Sequence, residues 1–265
     1  MNKRKLDTRQ QVLFGFPDEE LKTSLHDEMQ LWVKGNAAEI CRKLIGWTET
    51  WDPQLIESSK RLTAAMVPER VNLLQEALTK EKWRLERVVR GVFRLYLAQD
   101  LEKRIESMNT ELTFLSSWTG LGEPPAPKLD VRCELEHPVL RRPYEASDIA
   151  GFIDVVLCVR ALRLTAGIIP SDDYGRPYLG IDAKTYADWN AHWSDFRRFA
   201  FDAKTTIPSL GQLIRQFKAY RAYSKMPLYV VSADSRFAKE ISDEGFGFIT
   251  YPEAVITFPK SSMHR

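Results

Sequence analysis

Between Gly120 and Pro127 the chain reads Gly-Leu-Gly-Glu-Pro-Pro-Ala-Pro, which cannot continue a helix because Pro lacks the amide and Gly raises the entropy lost on ordering. The hydrophobic period changes across this stretch. Before it, apolar residues recur at spacings of three and four: Leu25, Met29, Trp32 and Val33, then Leu73, Leu74 and Leu78, then Leu85, Val88, Val89, Val92, Phe93, Tyr96 and Leu97. This predicts helices over about 21–117, punctuated by Pro53 and Pro68, with Asp100, Glu102, Lys103, Arg104 and Glu106 as a solvated stripe. After it, Leu129, Val131, Cys133 and Leu135 alternate with Asp130, Arg132, Glu134 and Glu136, the period of a half-buried strand. The expected organisation is a helical N-terminal domain over 1–120 and a mixed α/β (α+β) domain over 121–265.

Within the second part, 149–159 is apolar on both faces except for Asp154, which predicts a central strand. A polar insertion over about 165–195 follows, with a short amphipathic run through Trp189 and Trp193. Strands are then expected over 197–204, 228–232 and 246–251, and helices over 209–225 and 236–242. The chain of 265 residues is 44% hydrophobic, enough for a packed core. Its 38 Lys and Arg nearly balance 36 Asp and Glu, so any argument for a polyanionic partner has to be local. Cys41, Cys133 and Cys158 stand far apart with no CxxC pair, which argues against a disulfide framework and a zinc finger. The basic start, Met1 to Lys5, leads into Asp7 and Gln10 rather than an apolar run, and no stretch approaches the ~20 apolar residues of a membrane helix. A soluble cytoplasmic protein without membrane contact is expected.

A carboxylate inside an apolar strand has to be paired, protonated or bound to a cation. For Asp154 two readings stand: a structural pairing, or delivery to a divalent metal. Asp202 and Lys204 support the second, because residues two apart on a strand emerge on the same face. Asp182-Ala183-Lys184 repeats the triplet, but its context reads as a helix start with Asp182 as N-cap. The helix over 209–225 carries Arg215, Lys218, Arg221 and Lys225 with no acid, either as a solvated face or as a surface for phosphates. Gln216 and Tyr220 share a face of it. His26, next to Asp27 and Glu28, reads as part of a solvated helix start, since neighbours one and two apart diverge. His137, His192 and His264 show no ligand spacing, and there is no GxSxG or GxxxxGK[ST] motif. The tryptophans read as core and domain-contact residues.

A Gly-x-x-Asp strand (Gly151 to Asp154), an acid-x-Lys strand (Asp202 to Lys204) and a helix with Gln-x-x-x-Tyr (Gln216 to Tyr220) resemble the PD-(D/E)XK nuclease superfamily, in its RecB-like branch. The resemblance covers about 129–251 and implies a restriction-endonuclease-like mixed sheet flanked by helices, behind an all-helical N-terminal region. It implies Mg²⁺ or Mn²⁺ held by Asp154, Asp202 and the main-chain carbonyl of Ala203, with Glu136 as a further ligand, ahead of Glu134 and Glu28. Lys204 would orient the attacking water. Gln216 and Tyr220 would support the site and contact the strand, and Arg215, Lys218, Arg221 and Lys225 would hold nucleic acid. The implied activity is phosphodiester hydrolysis, with DNA expected over RNA. The alternative is a catalytically silent nucleic-acid-binding or complex-forming subunit, with a protein partner met through the helical N-terminal domain. An iron–sulfur cluster, present in some relatives, is excluded by the three cysteines.

Overall fold

A computed structural model of the protein describes residues 24–89, 95–141, 148–166 and 183–260. The fold is mixed α/β, with helices before and around a seven-stranded sheet. Its contacts form two compact units interleaved along the chain: Met1–Trp47 with Leu129–Ala161 and Asp195–Arg265, and Thr48–Lys128 with Leu162–Ser194. This differs from the linear division expected near residue 120. Asp182 and its expected capping role lie outside the described residues.

In the first unit, α1 (Ser24–Gly35) and α2 (Ala37–Ile45) precede the sheet. Their apolar stripe, with Met29, Val33, Ala37, Ile40 and Cys41, shares a buried cluster with Phe199, Phe201, Tyr229 and Val231. A helix lying on a sheet carries the same stripe as a helix lying on a helix, so periodicity alone could not assign these helices to the sheet. The strands are β1 (Leu129–Leu140), β2 (Ile149–Thr165), β4 (Arg197–Ala203), β5 (Leu228–Ser232), β6 (Gly247–Thr250) and β7 (Val255–Thr257), in the spatial order β1-β2-β4-β5-β6-β7. β1, β2 and β4 are antiparallel neighbours, whereas β4, β5 and β6 are parallel. The edge strand β7 pairs antiparallel with β6 and was not foreseen in the sequence. On the other face, α6 (Leu210–Tyr223) buries Leu213, Ile214, Phe217 and Tyr220 with Val156, Ala200, Val230 and Phe248. Ser209 opens this helix, its hydroxyl accepting the Gln212 amide. The short α7 (Ala238–Asp243) lies between β5 and β6.

The second unit is built on α3 (Pro53–Val89) and α4 (Leu95–Ser116), with the short α5 (Lys184–Ala187) and β3 (Asn190–Trp193), which pairs with Leu162–Thr165. Pro53 occupies the first helical position, where a missing amide costs no hydrogen bond. Pro68 lies inside α3 without ending it, contrary to the punctuation expected. Residues 120–127 form neither helix nor strand, as expected, but Trp51 and Trp189 donate their indole N–H groups to the carbonyls of Pro125 and Gly122 at 2.6 and 2.8 Å. The core gathers Met66, Leu74, Leu78, Met108, Leu115 and Tyr186. Within it, Arg70 Nε donates to Glu111 Oε1 at 2.8 Å, and the Tyr186 hydroxyl donates to the same oxygen. No helix among the described residues is long and apolar enough to cross a membrane.

Candidate functional site

β2 and β4 set the site through their register. Val155 pairs with Phe201, so Asp154 and Asp202 stand opposite one another one residue beyond that rung. Asp202 is 1% exposed. The Ala203 amide donates to Asp154 Oδ2 at 2.7 Å, and Lys204 Nζ lies 3.0 Å from Asp202 Oδ2. Both aspartates and the lysine therefore converge, as the i, i+2 spacing of Asp202 and Lys204 predicts. Ala203 enters the cluster through its N–H.

A fourth group joins them, a histidine expected from the sequence at a solvated helix start. His26 is buried, and its Nε2 lies 3.3 Å from Asp154 Oδ2. Asp27 does point to solvent, so the rule that helical neighbours diverge holds; it is His26 that faces inward. The available signal was that His26 lies three and seven residues before Met29 and Val33, on the stripe that α1 buries.

The electrostatics of the four groups are unequal. Burial pushes the Asp202 carboxyl up, and the Asp154 charge adds to this; Lys204 opposes them, and the result is a pKa of about 7. Asp154 moves the other way: burial would raise it, but the His26 hydrogen bond, the Lys204 charge and the Ala203 amide together hold it below the usual carboxylate range. The hydrogen bond to Asp154 raises His26 against the effect of its burial. Asp202 is left with two buried oxygens that accept no hydrogen bond among the described residues, Lys204 lying within ion-pair distance but off hydrogen-bonding geometry.

Orphaned carboxylate oxygens beside a second carboxylate are the donor chemistry of a hard divalent cation. No three His, Cys, Asp or Glu side chains among the described residues are grouped so as to hold a metal ion; Asp154 pairs with His26, and Asp202 with Lys204. Glu136, expected as a further ligand, is exposed at φ 52° on β1 and outside the cluster. Glu134 pairs with Arg198 and His137, and Glu28 accepts the Tyr251 hydroxyl. The His26 imidazole, against Asp154, is a further nitrogen donor beside the pair.

Gln216 and Tyr220 are buried, so neither side chain is open to the nucleic-acid strand it was expected to contact. Gln216 Nε2 donates to the Tyr220 hydroxyl, which donates to the Phe152 carbonyl, each at 3.1 Å. The pair thereby fixes β2 two residues before Asp154. Gly151 makes room for it: a Cβ there would stand 2.9 Å from Tyr220 Cε1. Gly151→Ala is expected to destabilise the protein by ~1–3 kcal/mol through overpacking, measured by urea unfolding. An unchanged midpoint would show that Tyr220 yields freely.

The basic face of α6 has partners within the chain. Lys218 pairs with Glu244 at 2.7 Å; Arg221 donates to the Gly245 carbonyl and lies 4.0 Å from the centre of the Phe246 ring. These two residues hold the turn after α7, a structural task the sequence reading did not assign to them. Arg215 and Lys225 are exposed. No family model matches the chain, and no curated protein or solved structure matches it.

Proposed function

We propose that the protein is a Mg²⁺- or Mn²⁺-dependent nuclease that hydrolyses phosphodiester bonds, with DNA as its substrate. The observation that carries this reading is Asp202, a fully buried carboxylate opposite Asp154 whose one cationic neighbour is Lys204. Asp154, Asp202 and the Ala203 carbonyl would hold the cation, with His26 as a nitrogen donor in its neutral form. When bound, such a cation supplies Lewis acidity at a phosphoryl oxygen and lowers the pKa of a bound water. Lys204 would orient the attacking water and offset charge on the phosphoryl oxygens. Gln216 and Tyr220 keep β2, and with it Asp154, in register.

Incubation of the protein with linear, circular and single-stranded DNA should give cleavage with Mg²⁺ or Mn²⁺ and none with EDTA. Absence of cleavage under every metal condition would sink the reading. A second reading, a silent nuclease-like binding subunit, draws on the internal pairing of each carboxylate with His26 or Lys204. Calorimetric titration with Mn²⁺ separates the two: the nuclease binds the ion through Asp202, and the silent subunit does not.

A further inference from the structure

The register that brings the carboxylates together runs on to a second polar cluster. Arg132, Cys158 and Arg198 lie side by side across β1, β2 and β4. Two residues further from the carboxylates, Asp130 pairs with Arg160, and Phe196 precedes β4 at that level. Alternation puts these residues on the face of Ala200 and Asp202, the face that α6 covers further along the strands. At the rise of an antiparallel strand, the Arg132–Arg198 row is about 13 Å from the carboxylates and Phe196 about 20 Å.

This cluster is ordered and open. The Arg132 and Arg160 guanidiniums each lie 4.6 Å from the centre of the Phe196 ring. Asp130 Oδ2 holds Arg160 at 2.8 Å and Arg132 at 3.6 Å, and Arg198 meets Glu134 at 3.2 Å. The Arg132 and Arg198 side chains nevertheless remain 62% and 42% exposed, and Phe196 38%. Exposed ion pairs of this kind contribute ~0–1 kcal/mol and exchange readily for a better partner. Guanidiniums bind phosphate through two parallel N–H groups and stack on flat π-systems, and groups already ordered by a ring and a carboxylate lose little freedom on binding.

We propose that this end of the sheet face binds single-stranded nucleic acid, with Arg132 and Arg198 on backbone phosphates and an unpaired base stacked on the layer of Phe196 and its arginines. That the strand then leads to Asp154 and Asp202 as substrate rests on the nuclease reading above. The aromatic ring singles out a single strand, because a duplex keeps its bases stacked away from it. α6 is the poorer candidate, since Lys218 and Arg221 serve their own chain.

The test is fluorescence anisotropy of a labelled oligothymidylate in EDTA, where cleavage cannot intervene. Arg132→Gln with Arg198→Gln should weaken binding at least ~10-fold and flatten the slope of log affinity against log salt by about 1.4, at ~0.7 per phosphate on a single strand. Phe196→Leu, which keeps apolar bulk beneath the arginines, should weaken it roughly 5- to 150-fold with the salt slope unchanged. An unaltered melting temperature shows that each variant is folded. Wild-type protein that fails to bind, variants that bind as wild type, or loss of binding on Arg215→Gln with Lys225→Gln instead would each overturn the proposal. Wild type that binds but never cleaves with Mg²⁺ or Mn²⁺ sinks the nuclease reading alone. Wild type that cleaves, alongside arginine variants that bind and cleave equally well, sinks the stacking surface alone.

Discussion

Asp202→Ala is expected to lower phosphodiester cleavage at least ~1,000-fold while leaving the protein folded. The two effects have one origin. The carboxylate is buried beside Asp154 with Lys204 as its one cationic neighbour, an arrangement suited to a further cation and unfavourable without one. Because its folded pKa is raised to about 7, the folded state holds the Asp202 proton more tightly than the unfolded chain does. In metal-free protein this group therefore subtracts stability progressively as pH rises from about 4 to about 7, the loss being complete above that window. Asp202→Asn, which mimics the protonated form, should melt like wild type near pH 4 and several degrees higher at pH 8 in EDTA. Asp154 and His26 feel the Asp202 charge, so the difference between the two melting curves reports the cluster with and without that charge. Full cleavage by Asp202→Ala, or an equal melting temperature at pH 8, would refute the assignment.

The largest loss of stability is expected in the second unit. Glu111 and Arg70 are both buried, and Glu111→Ala leaves the guanidinium without this carboxylate in an apolar core. Breaking a buried pair from one side costs ~3–5 kcal/mol, whereas replacing both members with apolar groups of similar volume is often neutral. Hydrogen exchange read by mass spectrometry should show α3 and α4 losing protection in Glu111→Ala. Arg70→Met with Glu111→Leu should recover most of it. Similar protection in wild type and Glu111→Ala would mean the pair contributes little.

The strands were legible because their chemistry is local. The alternation in β1, the run in β2 and the apolar segments of β4 and β5 each state their period within a few residues. The convergence of Asp154, Asp202 and Lys204 was legible for the same reason, since strand geometry fixes which side chains emerge together. What failed depends on distant partners. The stripe on α1 announces a buried face without saying that the sheet buries it, so both the boundary near residue 120 and the solvated reading of His26 came out differently. Lys218 and Arg221 looked unoccupied because Glu244 and Gly245 lie on another element, and nothing local to α6 announces them.

The threading of the first unit also bears on how the chain folds as it is made. α1 leaves the ribosome before any strand of the sheet exists, and Glu28 meets Tyr251 only across a separation of 223 residues. At 5–20 residues per second, that interval is roughly 10–45 s. During it the stripe of Met29, Val33 and Ile40 has no sheet to cover it, and only the completed β4 and β5 supply Phe201 and Tyr229. The second unit interrupts the first and draws its α3–α4 portion from a single contiguous stretch, so that portion can gather locally while α1 waits. Nascent chains stalled before residue 195 should therefore engage a chaperone through α1, and release it once β5 has emerged.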